Sequence, residues 1–102
     1  MAPVDETYVE SLLDLVEQVP PGRVTTYGAL AAVLGGGPRR VGTALARHGA
    51  PVPWWRVVRA DGSLPPSHGE RARAHYRAEG TPLRASGALD MPRAFWDPAT
   101  DD

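Results

Sequence analysis

Cysteine and lysine are both missing from this 102-residue chain. The first absence removes disulfides, thiolate metal sites and cysteine nucleophiles from consideration. The second makes all eleven basic residues arginine, so their positions inform more than their type. Long apolar runs are missing too: no stretch approaches the ~20 residues that span a bilayer. Met1 to Thr7 has neither the basic start nor the apolar run of a secretory leader. A cytoplasmic location without membrane attachment is therefore expected, on the nucleoid if the source is bacterial. Internal repeats, low-complexity segments and a phosphate-binding glycine fingerprint are also lacking. His48, His68 and His75 have no partners at ligand spacing, so neither a metal nor a cofactor is expected.

What is present fits one domain. A hydrophobic content of 42% over this length can bury a modest single core, and one domain over 1–102 is expected, ordered from about 5 to 98. The formal net charge of −1 hides a partition: residues 1–19 carry −5, residues 20–84 carry +7 with ten arginines, and the remainder carries −3. A basic block of this kind steers an anionic polymer even when the whole chain is near neutral.

The first element is predicted to be a helix from about Asp5 to Gln18, with Tyr8, Leu12, Leu15, Val16 and Val19 at helical spacing. Pro20-Pro21-Gly22 ends it. Thr26 before an alanine- and leucine-rich run is an N-cap signal, and Gly35-Gly36-Gly37 closes that second helix. A third follows at once, with Pro38 in its first turn and Gly49 past its end. Along it Val41, Ala44, Leu45 and His48 form one stripe, while Arg39, Thr43 and Arg47 form another with Arg40 alongside. Two helices joined by a glycine turn make a helix-turn-helix. Small residues between the arginines let the backbone approach a narrow groove, which points to nucleic acid.

Pro53-Trp54-Trp55-Arg56-Val57-Val58 is the most unusual stretch. In a strand its two indoles would face opposite ways, so that only one joins a half-buried core. Arg56 to Ala60 is predicted as a short strand, Asp61-Gly62 as a hairpin turn and Ser63-Leu64 as the return. The expected fold is thus mainly α with a small β wing, a winged-helix arrangement. Ser67-His68-Gly69-Glu70 matches a capping box for a helix from His68 to Glu79, with Gly80 as its stop. Ser67, His68 and Glu70 do not make a hydrolase: consecutive residues at a helix start lack the triad geometry, and no nucleophile-elbow turn accompanies them. Leu89, Met91, Phe95 and Trp96 are expected to lie across the domain, and the acidic end after Pro98 to be disordered.

Taken in order, Arg23-Val24-Thr25-Thr26-Tyr27-Gly28, Arg39-Arg40-Val41-Gly42-Thr43-Ala44-Leu45 and Pro53-Trp54-Trp55-Arg56-Val57-Val58 resemble the DNA-binding domain of the O6-alkylguanine-DNA alkyltransferases. The resemblance runs from about Tyr8 to Trp96. In that family the last motif reads proline-cysteine-histidine-arginine-valine, and its cysteine accepts the alkyl group. Here Trp54 takes the cysteine position, the mark of the alkyltransferase-like proteins. The resemblance therefore implies a non-enzyme that binds O6-alkylguanine in duplex DNA from the minor groove, flips the nucleotide and flags it for nucleotide excision repair proteins, acting as a monomer.

Position by position, Tyr27 is implied to push the phosphate and rotate the nucleotide, and Arg39 to fill the stack. Thr26, Tyr27, Arg39, Arg40, Thr43, Ala44 and Arg47 are the expected DNA contacts. Tyr27, Trp54, Arg56 and Ser67 are the expected lesion pocket, with Arg56 largely structural and Ser63 to Gly69 forming a wall. Glu79 matches a glutamate that serves the cysteine through histidine, and with no cysteine it has nothing to activate. Trp55 stands where the family has histidine, the loop from His48 to Pro53 is short and lacks the usual asparagine, and no N-terminal companion domain is expected. A winged-helix transcriptional regulator is the alternative; it calls for Asn or Gln on the second helix of the pair and a dimer surface, and residues 38–48 contain neither amide side chain.

Overall fold

The computed structural model describes residues 6–64 and 68–99. Helix α1 spans Glu6–Gln18, β1 Thr25–Thr26, α2 Tyr27–Leu34, α3 Gly37–His48, a 3₁₀ turn Trp54–Arg56, β2 Val57–Val58, α4 Gly69–Glu79 and α5 Met91–Ala94. The fold is mainly helical with one small sheet, as expected. No helix among the described residues is long and apolar enough to cross a membrane.

Helices α1, α2 and α3 pack through one apolar cluster that includes Leu12, Val16, Leu30, Val41 and Val57. The amphipathic pattern of α1 accounts for its share: Tyr8, Leu12, Leu15 and Val16 are all buried, and Val19 just beyond it is fully buried. Thr26 caps α2, its Oγ1 accepting the Ala29 amide at 3.0 Å. Between α2 and α3 the chain turns through three glycines with φ near +85°, a conformation side chains resist. A Cβ on Gly36 would also stand 2.7 Å from Arg40 Cδ.

A second cluster holds Val24, Val58, Ala72, Tyr76, Leu89 and Ala94. The strand pair divides the two clusters, because successive side chains on a strand alternate: Val57 enters the first and Val58 the second. The tail is laced to the two residues just before β1. Val24 donates its amide to Ala94 O and accepts the Trp96 amide, and Arg23 donates from Nε and Nη2 to the carbonyls of Ala94 and Phe95.

The sheet departs from the expected wing. β2 pairs in parallel with β1, Thr25 opposite Val57 and Thr26 opposite Val58. The predicted turn does form, with the Arg59 amide donating to Ser63 O at 2.9 Å and Gly62 at φ +87°. No antiparallel ladder grows from it among the described residues. Trp54, Trp55 and Arg56 are not in a strand either: the Arg56 amide bonds back to Pro53 O at 3.0 Å, closing a tight turn. Of the predicted capping box, Ser67 lies outside the described residues, as does the acidic end from 100 onward. His68 makes no side-chain cap bond, and Gly80 ends α4 at φ +72° as predicted.

Candidate nucleic-acid interface

One helical face and one corner form the site. On α3, Arg39, Thr43 and Arg47 are exposed, and Gly42 lies beside Tyr27. Tyr27 opens α2 directly after its cap, half-buried, with a hollow on each side. Toward α4 there is a cavity of about 300 Å³ lined by Tyr27, Gly42, Leu45, Ala46, Gly49, Ala50, Trp54, Leu64, His68 and Arg71. Toward the start of α3 a wider hollow of about 690 Å³ is lined by Tyr27, Pro38, Arg39, Gly42, Thr43, Ala46 and Arg59. Among the described residues neither hollow is lined by a carboxylate, whereas Arg39, Arg59 and Arg71 line them.

Trp54 meets its surroundings through ring contacts. Its ring centroid is 5.2 Å from His68 and 6.1 Å from His75, and the Arg71 guanidinium lies 5.7 Å over it. The adjacent Trp55 is turned by 87° and stacks on His75 at 3.6 Å. Its Nε1–H donates to Glu79 Oε2 at 3.0 Å. Glu79 is the hub of this corner: it also accepts from Arg56 Nη2 at 2.6 Å, Arg56 Nε at 3.1 Å and the Gly22 amide at 3.3 Å. Arg56 donates as well to Val19 O at 3.0 Å, and Tyr76 donates to Trp55 O at 2.6 Å. Burial alone raises the Glu79 carboxyl pKa; hydrogen bonds from Arg56, Trp55 and Gly22 outweigh it and hold the carboxyl below its ordinary value. Burial, with the nearby Tyr27 and Glu79, pushes the Tyr76 phenol far up.

Several sequence-predicted residues are brought together: Tyr27, Arg39 and Thr43 around one hollow, Tyr27 and Trp54 around the other. Others are not. Ala44 is 2% exposed and sits in the first apolar cluster, because helical phase puts it on the stripe of Val41 and Leu45. Arg56 lines neither hollow; at 13% exposure it is drawn into the ion pair with Glu79. Arg40 is exposed but lies over the Tyr8 ring at 4.0 Å, on the α1 side. Arg47 is exposed on α3 but lines neither hollow, Thr26 serves as the α2 cap, and Ser67 lies outside the described residues.

The sequence reading placed His68 within the Ser63 to Gly69 wall but missed Arg71 beside it in the cavity lining. The signal was present: His68, Arg71 and His75 fall at i, i+3 and i+7 on a single face of α4. It also left Glu79 idle, whereas its carboxylate ties Gly22, Trp55 and Arg56 together.

Residues 7–81 match the 6-O-methylguanine DNA methyltransferase, DNA binding domain family, and the chain belongs to it. Within that family it is an alkyltransferase-like protein. It is 34% identical over 99 residues to the DNA base-flipping protein of Escherichia coli strain K12, covering 91% of this chain and 77% of that one. It is 32% identical over 108 residues to alkyltransferase-like protein 1 of Schizosaccharomyces pombe, covering 93% and 98%. A crystal structure of the Schizosaccharomyces pombe alkyltransferase-like protein in complex with DNA superposes with a TM-score of 0.74 at 28% identity, over 93% of this chain and 98% of that chain.

Proposed function

We propose that this protein binds O6-alkylguanine in duplex DNA, holds the flipped nucleotide in the Trp54 cavity without alkyl transfer, and so flags the lesion for nucleotide excision repair. The observation that carries the reading is the cavity itself: a pocket of about 300 Å³ lined by Tyr27 and Trp54, in a chain with no cysteine to accept an alkyl group. The alkyltransferase-like relatives, one of them crystallised with DNA, support it.

Extruding a nucleotide costs a few kcal/mol of unstacking and unpairing, less where an alkyl group has already weakened the pair. Stacking against Trp54 offsets roughly 1–3 kcal/mol of it. Arg39, at the start of α3 and exposed, occupies the gap in the stack while Tyr27 bears on the backbone. A group inserted from the minor groove bends the duplex. Arg39, Thr43 and Arg47 supply the salt-dependent contacts to phosphate, with Arg40 at their edge. In this reading the whole chain works as one DNA-binding domain, as a monomer, in the cytoplasm and on the nucleoid if the source is bacterial. Its partners are lesion-bearing duplex DNA and excision repair proteins.

Titration of duplexes with and without O6-methylguanine tests this: tighter binding to the lesion is expected, and equal affinity refutes it. Mass measurement of the protein after incubation with alkylated DNA should show no added alkyl group.

A further inference from the structure

The hollow on the Arg39 side of Tyr27 contains a second cation that the sequence motifs do not mark. The parallel register sets Thr26 opposite Val58 at the ends of the two strands, and the residues that follow them, Tyr27 and Arg59, line the same hollow. The two side chains feel each other: burial raises the Tyr27 phenol pKa and the Arg59 charge pulls it back. Arg59 is exposed and shares the hollow with Arg39 and Thr43, with no acid in the lining. Asp61, on the same turn, feels the Arg59 charge, yet its Oδ1 is engaged by the Ser63 amide at 2.9 Å and the Ser63 hydroxyl at 2.7 Å. Among the described residues, the Arg59 guanidinium makes one hydrogen bond, a long one from Nη1 to Leu64 O at 3.4 Å. A guanidinium carries five N–H donors in a planar fork, so most remain available to an anion.

We propose that Arg59 is a phosphodiester-binding and positioning residue, which grips the backbone phosphate beside the nucleotide entering the Trp54 cavity and thereby sets Tyr27 against it. This inference rests on the lesion-binding reading above. The chemistry suits the ligand: two parallel guanidinium N–H groups meet two phosphate oxygens, a geometry that a lysine ammonium does not reproduce. Arg59 and Arg39 reach the hollow from different elements, so a phosphate held by Arg59 leaves Arg39 free for the stack.

The test uses the full chain as wild type, Arg59→Gln and Arg59→Lys. Binding to an undamaged and an O6-methylguanine duplex is followed across salt, and unstacking is read from 2-aminopurine placed next to the lesion at saturating protein. Arg59→Gln is expected to lower the log–log salt slope by about 1 on both duplexes, which between 50 and 200 mM salt is a roughly three- to fourfold change. It should also lower the saturated 2-aminopurine signal. Arg59→Lys should regain the slope and not the signal. An unchanged slope in Arg59→Gln overturns the phosphate contact, and a full signal in both variants overturns the positioning role. If wild type binds the two duplexes equally, the lesion-binding reading fails, while the slope on undamaged DNA still decides whether Arg59 holds a phosphate.

Discussion

Trp54 and Trp55 are covalent neighbours with opposite surroundings. Around Trp55 polar groups are tied down: its indole N–H by Glu79, its carbonyl by Tyr76, and the neighbouring Arg56 by Glu79 and Val19. Around Trp54 the contacts are aromatic and cationic, and a cavity of about 300 Å³ is left beside it. One corner is closed by hydrogen bonds that fix geometry, and the other is held open against it. The difference suggests how a binding cavity survives next to a packed core: the rigid side supplies the precision that the open side lacks.

The largest effect that could break this contrast is expected from Glu79→Ala. It strands Arg56, only 13% exposed, without its partner. Losing one member of a buried pair costs about 3 kcal/mol when some solvent still reaches it, and urea denaturation should show this. The pH dependence carries the same sign. A carboxyl lowered in the folded state stabilises fully above its unfolded value of 4.5 and loses that contribution as pH falls through the folded one. Stability should therefore fall below about pH 4.5, and Glu79→Gln should flatten part of that slope.

Next in size is Trp54→Ala. Discrimination between lesion and normal duplex should drop by roughly 1–3 kcal/mol, the worth of a stacked base. Affinity for undamaged DNA should fall less. Arg39→Ala, by contrast, should weaken both duplexes. If Trp54→Ala leaves discrimination intact in a direct titration, the open corner is not the binding side.

Tyr76→Phe should cost about 1 kcal/mol by removing one hydrogen bond to the Trp55 carbonyl, visible in thermal unfolding and absent from lesion binding. The smallest effect sharpens the contrast from the other side. A Cβ on Gly42 meets Tyr27 at an ordinary 3.9 Å, so Gly42→Ala should gain about 0.5–1 kcal/mol of helix stability. It should nevertheless weaken DNA binding, because the methyl group enters both hollows at once; equal or tighter binding would remove the reason for a small residue there.

Much of this protein was legible in the chain alone. Helical periodicity fixes α1 and α3 within a residue or so, Thr26 and the three glycines punctuate α2, and the arginine stripe of α3 is exposed because its spacing demands it. These are local consequences of a 3.6-residue period and of backbone conformation, and a sequence carries them in full. The three motifs likewise point to the family, since their order and spacing are a linear property. Tertiary structure alone decided the rest. Val57-Val58 looks the same whether it pairs with a returning hairpin or with a strand some thirty residues earlier, and only the distant Thr25–Thr26 backbone selects the second. Arg56 is expected in the pocket as a largely structural member, and only the fold shows which residue holds it away from there: Glu79, 23 residues on. Which indole faces the cavity is settled by partners far away in the chain, because a side chain's fate depends on what reaches it in space.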